Sequence, residues 1–216
     1  MTRLHAIVAG VLLALPLAVQ AAPPASGGTR AGIRSELDQA RKEMQVDLAD
    51  ARKELLTENL RLDGSLLIGK DDKRRKDLPR AEITPRGDFL VEGKAQAIDA
   101  GQRQQLLAYR TQVIGVALRG IDIGERAGQA ALDAVGTSWV GMLFGAMTGS
   151  LERKVERVVQ AEVAPAVRDI CRQLPQMRDA QQRLASSLPA FRPYATLDRD
   201  DIEDCETDVR REFATR

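Results

Sequence analysis

Histidine is all but missing from this chain: His5 is the only one. It lies, with Arg3, just ahead of an apolar run from Ala6 to Val19, and Val19-Gln20-Ala21 follows. A short charged start, an apolar stretch and small residues before a cut after Ala21 predict a secretory signal peptide. The run is short for a membrane span, and polar sequence comes next. Cleavage would discard the last imidazole. That excludes a Ser-His-Asp triad, a Cys-His dyad and histidine-based zinc or copper sites. No cysteine stands at the cleavage point, so a lipid anchor there is not expected.

Aromatics are scarce as well, with one tryptophan, two tyrosines and four phenylalanines, all between Phe89 and Phe213. Too few are present to line a sugar-binding cleft, which leaves carboxylate pairs for glycoside hydrolysis without a setting. Neither charge is in excess, since 32 basic residues face 31 acidic ones, and losing Arg3 with the leader balances them. A balanced surface has no electrostatic footprint for nucleic acid and no polybasic membrane anchor. No Walker-type or Rossmann-type glycine loop follows a strand pattern. The sequence therefore predicts a non-enzymatic protein with no cofactor and no metal.

Only two cysteines are present, Cys171 and Cys205. In an exported chain an even count predicts a disulfide, and two residues allow one intramolecular pairing. A redox pair is usually closer in sequence, and a zinc site needs more ligands than two thiolates.

The positive signals are mostly helical. Residues 22–32 are rich in proline, glycine and serine and predict a flexible lead-in. Ile33, Leu37, Ala40, Met44, Leu48, Ala51 and Leu55 then recur at helical spacing, which predicts an amphipathic helix over residues 33–57. Its narrow stripe suits either packing on its own domain or a two-helix seam with another chain. From Asn59 the period shortens. Leu60 and Leu62, an Asp63-Gly64 turn, and Leu66 and Ile68 predict a hairpin. Ala81 to Thr84 and Phe89 to Glu92 predict a second one around Pro85-Arg86-Gly87-Asp88, and Lys94 to Ile98 a fifth strand.

Asp99, with Gln102 three residues on, predicts the cap of a long helix. Glycines follow in that helix at a period of four: Gly120, Gly124 and Gly128, then Gly141, Gly145 and Gly149. Glycine costs about 1 kcal/mol against alanine in a helix. Such a series needs a compensating gain, and a groove that admits a second helix closely is the natural one. Charges at Arg119, Asp122, Glu125, Arg126 and Asp133 argue against a span in the first half. The uncharged stretch 134–150 is marginal for a span, but could lie in a membrane interface with Trp139 as its anchor.

A long helical stripe runs from Leu151 through Leu174 to Leu188, kinked at Pro165. A turn over Pro189-Ala190-Phe191-Arg192-Pro193-Tyr194 ends it. A last helix starts at Thr196 or Asp198 and carries Ile202, Cys205, Val209 and Phe213. Ser150 and Lys154 stand four apart, the spacing of a Ser-Lys pair, but nothing nearby tunes the lysine. The acidic run Asp198, Asp200, Asp201, Glu203, Asp204, Glu206 and Asp208 lacks the central glycine of a calcium loop, and it suits a helix start.

Three elements carry a family resemblance: Leu106-Leu107-Ala108-Tyr109-Arg110-Thr111-Gln112-Val113 after a short sheet, the glycine-rich helix Gly115 to Gly128, and the spacing from Cys171 through Leu188-Pro189-Ala190-Phe191-Arg192-Pro193-Tyr194-Ala195 to Cys205. Over roughly Leu56 to Asp208 the chain resembles the YggN-like family of exported proteobacterial proteins, whose function is unknown. The resemblance implies a periplasmic location and a Cys171–Cys205 pair, and it carries over no catalytic or binding residue.

The expected fold is α+β and mainly helical: a small antiparallel sheet packed with long helices and a disulfide-stapled C-terminal helical hairpin. The expected division is a leader 1–21, a lead-in 22–32, the helix 33–57 and an α+β domain 58–216, with its sheet in 58–98 and its helices in 99–216. The expected role is a periplasmic scaffold or binding protein acting through helix-mediated association with a second copy or another envelope protein. A protein docking its 120–149 segment on a membrane is the alternative.

Overall fold

The computed structural model describes residues 30–62, 78–136, 161 and 163–213. The expected leader, the Asp63-Gly64 hairpin, Ser150 with Lys154, and the stretch carrying Trp139, Gly141, Gly145 and Gly149 lie outside those residues. The architecture is α+β and mainly helical. In chain order it comprises α1 (Arg30–Thr57), β1 (Leu60–Arg61), β2 (Ala81–Ile83), β3 (Phe89–Val91), β4 (Lys94–Ala95), α2 (Ala100–Gly136), α3 (Ala164–Ser187), a 3-10 helix (Pro189–Tyr194) and α4 (Arg199–Glu212). Helix α1 begins at Arg30, three residues ahead of the apolar stripe.

The described strands form one antiparallel sheet in the order β1-β2-β3-β4. Leu60 pairs with Ile83 and Ile83 with Phe89, which puts apolar residues side by side on one face. The turn between β2 and β3 is the expected one. Gly87 donates its N–H to the Thr84 carbonyl at 2.9 Å and has φ of +81°. A Cβ there would sit 2.7 Å from Leu107 Cγ and 3.2 Å from the Arg103 carbonyl oxygen. The turn presses directly on α2, and glycine meets both the conformational and the steric demand. The expected fifth strand is the short β4, reached through Glu92 and Gly93, both at positive φ (+50° and +72°). Successive positive φ values at two central residues are the mark of a tight hairpin whose twist matches its strands.

Helix α2 opens with the expected reciprocal cap. Asp99 Oδ1 accepts from the Gln102 N–H at 2.8 Å, and Gln102 Oε1 accepts from the Asp99 N–H at 2.9 Å. In α3, Pro165 occupies the second α-helical position, directly after Ala164 and the π-helical Val163. The residues just before it fall largely outside those described, so the expected kink there has no described upstream half. Pro175 sits inside α3, and the helix passes through it. The apolar stripe of Cys171, Leu174, Met177 and Leu184, all buried, holds the helix on the core across that missing hydrogen bond. Helix α4 is capped by Asp198 and Asp201 in the same reciprocal manner as α2.

The chain divides into two compact units, residues 1–49 with 122–163, and residues 50–121 with 164–216. The second holds the sheet and the buried core, in which Ile83, Phe89, Leu106, Leu184 and Phe191 are fully excluded from solvent. Phe191 lies at the centre of an aromatic cluster. Its ring centroid is 5.7 Å from both Phe89 and Tyr109 and 6.4 Å from Tyr194. Four of the seven aromatics thus meet in one core. The Cys171–Cys205 disulfide joins α3 to α4 with the Cα atoms 5.8 Å apart.

Candidate functional site

In the first unit the described parts are the N-terminal stretch of α1, the C-terminal stretch of α2, and residues 161 and 163. Met44 Sδ lies 2.6 Å from where a Cβ on Gly128 would be, so the missing side chain is what admits it. One turn along, Arg41 reaches Asp133 at 2.6 Å and Asp38 at 3.1 Å. Partners fall in number on α2 as they rise on α1, so these two stretches run antiparallel. The contact is a seam and not a deep core: no described side chain of α1 is fully buried, and Leu37, Met44 and Leu48 are half-buried. Val46 is 59% exposed.

The glycine series behaves unevenly. Gly128 provides a close approach, whereas no described atom lies within 4 Å of a Cβ built on Gly120 or Gly124. Both of those are half-buried. Gly141, Gly145, Gly149 and Trp139 lie outside the described residues. The disulfide cysteines meet as expected.

Three polar residues that sequence reasoning passed over organise the second unit. Arg110 lies on the apolar face of α2, one turn from Leu106 and beside Val113, and is only 9% exposed. Its Nη2 donates to the carbonyls of Leu55 (3.3 Å), Leu56 (3.1 Å) and Glu58 (2.8 Å). Those are the orphan acceptors at the C-terminal end of α1, and a cation there also opposes the negative end of the helix dipole. Burial shifts the guanidinium pKa downward, but arginine stays charged in proteins. A positive residue on an otherwise apolar stripe was the signal. Replacing it, Arg110→Met, is expected to cost about 2–3 kcal/mol, because hydrogen bonds to a charged donor are lost and acceptors are left dry. Urea denaturation of the variant measures this.

Glu82 is the second. It sits in β2, 7% exposed, and accepts from Asn59 Nδ2 at 2.9 Å and Arg80 Nε at 2.7 Å. The Asn59 hydrogen bond, helped by Arg80, holds its carboxyl below the ordinary glutamate range. A depressed folded pKa contributes stability that is present above the unfolded value and lost as pH falls through the folded one. Below about pH 4.3 the stability gap between wild type and Glu82→Gln is therefore expected to close. Thermal melts of both proteins from neutral to acid pH read it directly. Asp88 shifts downward in the same way, through Arg103 and Thr84.

Gln181 is the third, with its amide in the core between α2 and the segment at Leu197 that precedes α4. It donates to Tyr109 Oη at 2.7 Å and accepts from the Leu197 N–H at 2.9 Å. These contacts position structure. Among the described residues no group of histidine, cysteine, aspartate or glutamate side chains could hold a metal ion. No described helix is long and apolar enough to cross a membrane. No protein-family model, curated protein or solved structure matches this chain.

Proposed function

We propose that this protein is a non-enzymatic scaffold or binding protein of the cell envelope. In this reading it is exported to the periplasm and works through helix-mediated association. The observation that carries the reading is α1. It is a helix of 28 residues with a regular apolar stripe, and no described side chain on it is fully buried. Helices in proteins gain most of their stability from packing an amphipathic face. A stripe half-covered along its length is a face with capacity for a further helix. The disulfide fits an oxidising compartment. The resemblance to the YggN-like family points to the same place.

Size-exclusion chromatography with light scattering on the processed protein tests this. The expected result is a mass above one chain that falls to one chain in Leu37→Glu, which charges the stripe. A strict monomer at every concentration, with no partner recovered from an envelope fraction, overturns the proposal. Liposome flotation of the same sample separates membrane docking by the 120–149 segment. An associating scaffold stays at the bottom, and a docking protein rises with the vesicles.

A further inference from the structure

Sulfur in this chain is of two kinds. Cys171 and Cys205 are bonded to each other, so neither offers a thiol to an oxidant. The thioethers can still take up oxygen, and among the described residues they are Met44 and Met177. The two stand in opposite settings. Met177 is 2% exposed and belongs to the core of the sheet-bearing unit. Met44 is half-buried on the apolar stripe of α1. Its Sδ fills the notch that Gly128 leaves on α2: a Cβ there would lie 2.6 Å from the sulfur and 3.8 Å from Met44 Cε. One turn toward the N-terminus of α1, Arg41 pairs with Asp133 across the same seam. Gly128 lies inside α2, where backbone N–H groups are committed to the helix. The notch therefore suits a bare thioether, which asks for no hydrogen-bond donor, and not a sulfur that carries oxygen.

We propose that Met44 is an oxidation site that controls the α1–α2 seam: a peroxide converts it to the sulfoxide, and the seam loosens. In the step with hydrogen peroxide, a lone pair on Sδ attacks one peroxide oxygen. The O–O bond breaks and an S–O bond forms. The departing hydroxide takes the proton from the transferred oxygen and leaves as water. The thioether loses two electrons and the peroxide gains them. The product is a polar side chain with a substituent on its sulfur. Its oxygen cannot face Gly128, because the sulfur already sits where a Cβ would leave it no room. Turning the oxygen to water draws the side chain out of the notch. A thiol-dependent methionine sulfoxide reductase reverses the change: two thiols become a disulfide, and the oxygen leaves as water. The inference does not rest on the association proposed above, since the contact it breaks joins two helices of one chain.

Peptide mapping by mass spectrometry after graded hydrogen peroxide, with amide hydrogen exchange on the same samples at one low protein concentration, tests it. Met44 is expected to gain its oxygen roughly tenfold faster than Met177, or more. Exchange over Leu37 to Asp47 is expected to quicken by about tenfold once Met44 is oxidised, with Leu106 to Val116 unchanged. Methionine sulfoxide reductase with a thiol should restore the slow exchange. Met44→Leu keeps the volume and the apolar character, and peroxide should leave its exchange unaltered. Met44→Gln, polar and of similar length, should exchange like the oxidised protein without peroxide. Oxidation of Met44 no faster than that of Met177 overturns the inference. Slow exchange that survives full oxidation of Met44 overturns it too. So does quickening in peroxide-treated Met44→Leu, which would assign the effect to another residue such as Met142 or Met147.

Discussion

Replacing Phe191 by alanine is expected to destabilise the protein by about 3–5 kcal/mol, the cost of emptying a fully buried aromatic site. Phe191 is fully excluded from solvent and touches Phe89 from the sheet, Tyr109 from α2 and Tyr194 from its own 3-10 helix. The cost combines lost transfer energy, a cavity, and aromatic pairs worth about 0.5–1.5 kcal/mol each beyond their area. The surroundings cannot collapse to fill the space, because Pro189 and Pro193 fix the backbone on both sides. Since small domains are stable by only about 5–15 kcal/mol, the variant should melt far below wild type. Phe191→Leu keeps most of the volume and should retain a cooperative transition with a smaller loss. Urea denaturation with matched m-values checks both.

Gln181→Leu is expected to cost about 2–4 kcal/mol, although it fills the same space with an apolar residue of similar size. The Leu197 N–H loses its acceptor where no water reaches, and the Tyr109 hydroxyl loses the Gln181 donor. An orphaned buried donor costs more than the bond itself contributed. The two losses are separable. Adding Tyr109→Phe to Gln181→Leu removes the hydroxyl that accepted from Gln181, so the double variant should be less destabilised than the sum of the singles. Additive behaviour in the cycle would mean that the two side chains do not share the hydrogen bond.

The parts of this fold that were readable in the sequence are those written in local chemistry. Asp99 with Gln102 announces a helix start through capping spacing, while the last helix was expected from Thr196 or Asp198; the structure forms reciprocal caps at Asp99 and at Asp198. The turn at Pro85-Arg86-Gly87-Asp88 was legible for the same reason. What stayed hidden depends on distant partners. Gln181 looks like any polar residue on a helix until Tyr109 and Leu197 arrive from 72 and 16 residues away. Arg110 reads as an interruption of an apolar stripe because its acceptors lie at the end of α1, more than 50 residues upstream. The glycine series shows the limit of periodicity. The repeat is regular, yet only Gly128 meets a described neighbour closely, since which turn of a helix is approached is decided by the other helix.

In the proposed function, the sheet-bearing unit supplies the stable fold and α1 supplies association. Amide hydrogen exchange measured at low and at high protein concentration tests it most directly. Protection over Glu36 to Asp50 should rise as concentration rises, with the amides of Leu106 to Val116 equally slow in both samples. Exchange over Glu36 to Asp50 that is the same at every concentration would contradict the claim.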